Sequence, residues 1–92
     1  MSEAIAIQAR ITGRVQGVSF RAWTHAQAQA RGLVGWVQNE ADGAVRACIE
    51  GPRAVVQEML TTLHDGPPAA RVDRVDSTDA SPDGFETFEI RR

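Results

Sequence analysis

A single cysteine, Cys48, stands in the whole chain, so no intrachain disulfide can form and no cysteine-based metal site suggests itself. Its expected place is a small packed or half-exposed thiol. Basic residues do not outnumber acidic ones, and the net charge of −2 removes any general attraction to nucleic acid or an anionic membrane. No apolar run approaches the roughly 20 residues of a membrane span. The start Met1, Ser2, Glu3, Ala4 has neither the basic residues nor the apolar stretch of a signal peptide, and a cytoplasmic protein is expected. The histidines His25 and His64 lie far apart and neither has a partner at a metal-ligand spacing. Each is expected at the surface or the core boundary. What remains is ordinary globular material: 92 residues, 42% hydrophobic and 24% charged, enough for one core, so residues 1–92 are expected to form a single domain.

Patterning gives the elements. Ile5, Ile7, Ala9 and Ile11 alternate with Ala6, Gln8, Arg10 and Thr12, a period of two that marks a strand with one buried face. Phe20 to Ala30 is alanine-rich and reads as a helix, with Ser19 as its N-cap and Gly32 as its C-terminal stop. Phe20 and Trp23 are its bulky anchors. Leu33 to Asn39 and Ala44 to Glu50 are two more strands, joined by the turn signal Asp42-Gly43. Val45, Ala47 and Ile49 form the core face of the second, leaving Arg46, Cys48 and Glu50 on the other. A second helix follows, with Pro52 in its first turn, an apolar stripe of Val55, Val56, Met59, Leu60 and Leu63, and an end at Gly66-Pro67-Pro68. Val72 and Val75 are out of phase, so the next strand should hold a bulge or start late, near Arg74. Ser77 to Gly84 reads as a polar loop, and a short last strand carries Phe88 and Ile90, with Phe85 packing at its start. Two helices with one apolar stripe each cannot cover both faces of a sheet. The order therefore implies an α+β, ferredoxin-like two-layer sandwich, β-α-β-β-α-β plus a short C-terminal strand, with both helices on one face of a mainly antiparallel sheet.

One stretch has chemistry beyond packing. In Ile11 to Arg21, I-T-G-R-V-Q-G-V-S-F-R, Gly13 and Gly17 bracket a loop that runs straight into the first helix. Glycine admits left-handed dihedrals and lets the backbone approach a ligand closely. The helix start leaves N–H groups without intrahelical partners, backed by the positive end of the helix dipole. Arg21, in the first turn, can add a two-pronged guanidinium to the same anion. Taken alone, such a loop serves as readily as a plain connection between two elements.

The motif G-R-V-Q-G-V-S-F-R, followed by G-W-V-Q-N-E-A-D-G-A-V at Gly35 to Val45, resembles the acylphosphatase family. Gly13, Val15, Gln16, Gly17, Val18, Phe20 and Arg21 match its first motif. Gly35, Trp36, Val37, Asn39, Gly43, Val45 and Gly51 match the second, and the likeness continues through Gly66 to Val75 into the last strand. The resemblance implies the ferredoxin-like fold and hydrolysis of the carboxyl–phosphate bond of small acyl phosphates. It implies that Arg21 binds phosphate, that Asn39 positions the attacking water, and that Arg14, Val15, Gln16, Gly17, Val18 and Ser19 offer backbone N–H donors. It implies no cofactor and no metal.

The chemistry fits such a set. An acyl phosphate carries a good leaving group, a carboxylate, so charge neutralisation and an in-line water matter more than acid catalysis. An Asn side chain accepts and donates without titrating, which suits it to orienting water. No general base is evident: Glu40 belongs on the opposite strand face and Asp42 is a turn former, and the resemblance suggests that the substrate phosphate takes the proton. The side chain of Gln16 is expected to pack the loop. Arg46 departs from an acidic residue common at its position in the family, and should lie away from the phosphate. Ser19, at a variable position, is placed to cap the helix or touch ligand.

Two other readings stand beside the enzyme. An anion-binding regulatory module would use the same cradle, but it would not need Asn39. An RNA-binding sheet would need stacking rings and a basic face, where this first strand offers Ile, Ala, Gln and Arg. The expected partner is a small acyl phosphate, with neither nucleic acid nor membrane, and a monomer is expected.

Overall fold

The structure, a computed structural model, describes residues 3–92. Its elements are β1 (Ala4–Arg14), α1 (Phe20–Ala30), β2 (Val34–Asn39), β3 (Val45–Pro52), α2 (Arg53–Asp65), β4 (Arg71–Ala80) and β5 (Phe88–Arg91). The strands form one sheet in the order β4-β1-β3-β2-β5. All neighbours are antiparallel except β5, which runs parallel to β2. Helix α1 packs on β2 and β5, and α2 packs on β1, β3 and β4. This is the ferredoxin-like sandwich with an added edge strand. No helix among the described residues is long and apolar enough to cross a membrane.

The core lies between the helices and one sheet face. Ile7, Ala9 and Ile11 of β1 sit in register with Ile49, Ala47 and Val45 of β3, and all are buried with Phe20, Val37, Val56, Met59 and Leu63. Since residues in register share a face, Asn39, opposite Val45, also belongs to the helix-covered side. Arg46, opposite Arg10 and Gln38, belongs to the open side.

Helix α1 ends in a Schellman motif. Gly32 has φ 68°, its N–H donates to Gln29 and the Leu33 N–H to Ala28, so the last turn's carbonyls are satisfied by the chain's own reversal. At the other end Ser19 does not cap. It adopts a left-handed conformation, φ 62° and ψ 25°, and its hydroxyl makes no cap hydrogen bond. A capping serine needs extended backbone to turn its oxygen onto the first turn, and the loop's tight entry denies it that. Pro52 likewise sits one residue before α2, at φ −59° and ψ 140°, still paired in β3 with Ala4.

The stretch Ser77–Ala80, expected to be a loop, continues β4 instead, paired with Ala6 to Ala9 of β1. Its polarity reflects an edge strand with few residues under a helix, so composition alone does not mark it. The bulge itself is present: the register slips between Thr12 and Gly13, leaving Asp73 as the extra residue, so Val72 and Val75 both reach the core side. The strand does not start late. Gly13 (φ 124°) serves this bulge rather than a ligand, because a Cβ there would collide with the Arg71 carbonyl and the Asp73 N–H.

Candidate active site

The loop from β1 to α1 spans residues 15–19 and turns through left-handed Gly17 (φ 73°) and Ser19 (φ 62°). A non-glycine residue in that region costs on the order of 1–2 kcal/mol and persists where its surroundings fix it. A Cβ at Gly17 would meet no atom within 4 Å, so this glycine is demanded by its dihedral and faces open space. Among the described residues, none of the backbone N–H groups of residues 15–22 donates to a backbone carbonyl, and the first helical bond runs from the Trp23 N–H to Ser19. The loop therefore presents a bundle of free donors at a helix start, the arrangement that receives an anion.

Beside it lies a cleft of about 290 Å³ lined by Val15, Gly17, Ser19, Phe20, Arg21, Ala22, Asn39, Ile90 and Arg92. Arg21 and Asn39, far apart in sequence, thus meet at one cavity. Arg21 Nη1 donates to the Arg91 carbonyl at 3.0 Å, which orients the guanidinium and leaves its other N–H groups without a protein partner among the described residues. The Asn39 side chain makes no hydrogen bond among them. Two arginines and no Asp or Glu are among the residues lining the cleft, although the chain as a whole carries a charge of −2.

Of the loop residues singled out from sequence, Val15, Gly17 and Ser19 line the cleft. Arg14 is exposed at the end of β1, and Val18 packs against the core. Gln16 turns its side chain to the β2–β3 turn, where Nε2 donates to the carbonyls of Glu40 and Ala44, each at 2.8 Å. Sequence reasoning missed Ile90 and Arg92. The signal for them was the parallel pairing of β5 with β2, a long-range contact that no local pattern carries.

The nearby carboxylates face elsewhere. Glu40 pairs with Arg46 at 2.8 Å and accepts from Gln38. Asp42 pairs with Arg10 and accepts the Ala44 N–H, and the hydrogen bond from Arg10 holds its carboxyl below the usual carboxylate range. Burial pushes the Cys48 thiol up, with Glu50 adding to the shift. Glu50 is itself buried, its carboxylate accepting the Asp83 and Gly84 N–H groups that lead the chain toward β5. His25 lies against Phe88, with ring centroids 6.2 Å apart, and His64 is exposed in the last turn of α2.

The family model described as Acylphosphatase matches residues 7–90. The acylphosphatase of Natronomonas pharaonis is 47% identical over 92 residues, covering 100% of both chains. That of Salinibacter ruber is 48% identical over 88 residues, 94% of this chain and 92% of its own. The crystal structure of acylphosphatase from Bacillus subtilis superimposes with a TM-score of 0.93 at 34% identity, over 96% of this chain and 99% of that one.

Proposed function

The chain belongs to the acylphosphatase family, hydrolases that act on small acyl phosphates, and we propose how its residues divide that reaction. Arg21 and the amides of the loop of residues 15–19 bind the phosphate, with Arg14, the last residue of β1, outside that set, and Asn39 orients the attacking water. The observation that carries this reading is the cleft shared by Arg21 and Asn39, lined also by loop residues Val15, Gly17 and Ser19 whose N–H groups have no backbone acceptor, and by no Asp or Glu. Water attacks phosphorus, the bond from phosphorus to the acyl oxygen breaks, and its electron pair leaves with the carboxylate. With Glu40 and Asp42 both engaged in ion pairs elsewhere, the water's proton passes to the phosphate. Donors aimed at the charge of the transition state are worth about 3–4 kcal/mol each in comparable sites.

The test is steady-state turnover of acetyl or benzoyl phosphate with chelator present. Turnover is expected without added metal, and hydrolysis no faster than the spontaneous rate would defeat the reading. Arg21→Ala is expected to lose phosphate binding. Asn39→Ala is expected to lose turnover by about 10²-fold or more while inorganic phosphate still inhibits competitively. Equal loss of binding in both variants would contradict the division of roles.

One core cluster shared by both helices and the sheet supports reading residues 1–92 as one domain. Among the described residues the only large exposed apolar side chain is Ile90, at the cleft, which supports a monomer. Sedimentation at rising concentration checks that. The lone buried thiol suits a reducing cytoplasm.

A further inference from the structure

We propose that Gln16 is a positioning residue, whose side-chain amide ties the loop of residues 15–19 to the β2–β3 turn and so fixes Asn39 against the bound phosphate. The inference rests on the roles given above to Arg21 and Asn39. Gln16 does not line the cleft, but each end of its connection lies one residue from a group that does. Gly17 follows it in the loop, and Glu40, whose carbonyl it holds at 2.8 Å, follows Asn39. The second carbonyl, that of Ala44, is also 2.8 Å away. Two facing carbonyls admit only the amide nitrogen, so the orientation of the side chain is dictated by its partners.

The turn needs no help to close on itself. Its Glu40 N–H donates to Ala44 and its Gly43 N–H to Glu40, while Asp42 accepts the Ala44 N–H. What these bonds leave undetermined is where the closed turn docks against the phosphate loop. Gln16 is the side chain that makes this connection, half-buried and using both of its N–H donors. Freed from it, β2 keeps its pairing while its end, at Asn39, can drift relative to Arg21. Misplacement by about 1 Å is enough to cost a well-oriented reaction heavily.

The experiment is a double-mutant cycle of Gln16→Met with Asn39→Ala, read as kcat and as the competitive inhibition constant of inorganic phosphate. Methionine keeps the length and volume and removes both donors. In the Asn39 background kcat is expected to fall about tenfold, with the phosphate constant moving less than about twofold. In the Asn39→Ala background the same change is expected to cost less than about twofold, because the group it positions is gone. A full tenfold loss in both backgrounds, or a phosphate constant that worsens in step with kcat, overturns the tie while leaving Asn39 its role. An undiminished kcat in Asn39→Ala alone would instead strike the mechanism itself. Gln16→Ala serves where the methionine variant does not fold by circular dichroism, with the same two outcomes deciding.

Discussion

The open face of the sheet and the cleft at the start of α1 treat arginine in opposite ways. On the open side Arg10 is matched by Asp42 and Arg46 by Glu40, and Arg91 lies over the Trp36 ring, 4.5 Å from its centroid. In the cleft Arg21 has, among the described residues, only a backbone carbonyl, and Arg92 lines the same cleft with no Asp or Glu among the lining residues. Exposed pairs of the first kind add little to stability and mainly settle the surface charge. A guanidinium left without a counter-charge in a concave site keeps its attraction for a ligand. A chain with a net charge of −2 thus keeps a cleft whose lining side chains include two arginines and no acid.

Breaking this contrast at its strong end should have the largest effect. Arg21→Lys keeps the charge but not the fork, and kcat/KM for acetyl phosphate is expected to fall about 10²-fold. Arg46→Lys on the open side should change it by less than about twofold, and comparable losses at the two positions would end the distinction. Next in size is Gly17→Ala. The methyl meets open space, so the cost is that of its left-handed backbone, about 1 kcal/mol in urea unfolding. Phosphate affinity is expected to drop with it as the loop relaxes.

The smallest effect concerns Cys48. Its thiol is buried on β3 and held above its ordinary range, so the folded state retains a proton that the unfolded state releases. Stability from this group is complete below the ordinary thiol range and declines as pH rises through the folded value. The unfolding midpoint should fall slightly on the alkaline side and should not do so in Cys48→Ala. An identical alkaline decline in that variant would assign it to another group.

Local chemistry made the site's framework readable from sequence. Helix α1 runs from Phe20 to Ala30 as its alanines and Gly32 dictate, and the period of two in β1 places Ile11 in the core. Asn39 stands two residues after Val37, so strand alternation gives both one face, and that face is the helix-covered one. What stayed hidden depends on distant partners. Ser77–Ala80 is a strand because β1 offers it hydrogen bonds, not because its side chains are apolar. The left-handed Ser19 follows from how the loop closes, and Glu50 could not be known to hold Asp83 and Gly84 before the chain was folded back over it. Arg31 is similar. It bonds Gln27, four residues back on its own helix, and joins α1 to α2 through Glu58 and Thr62, two partners that only packing brings to it.

The carbonyl that steers Arg21 belongs to β5, a four-residue strand on the sheet's rim, bonded to one neighbour and carrying a largely solvated surface. Short edge segments open at the least free energy, ahead of interior strands such as β1 and β3. Opening of β5 releases that carbonyl's hold on the guanidinium, so the β5 amides are expected to exchange faster than those of β1 and β3, and the orientation of Arg21 is expected to loosen with them.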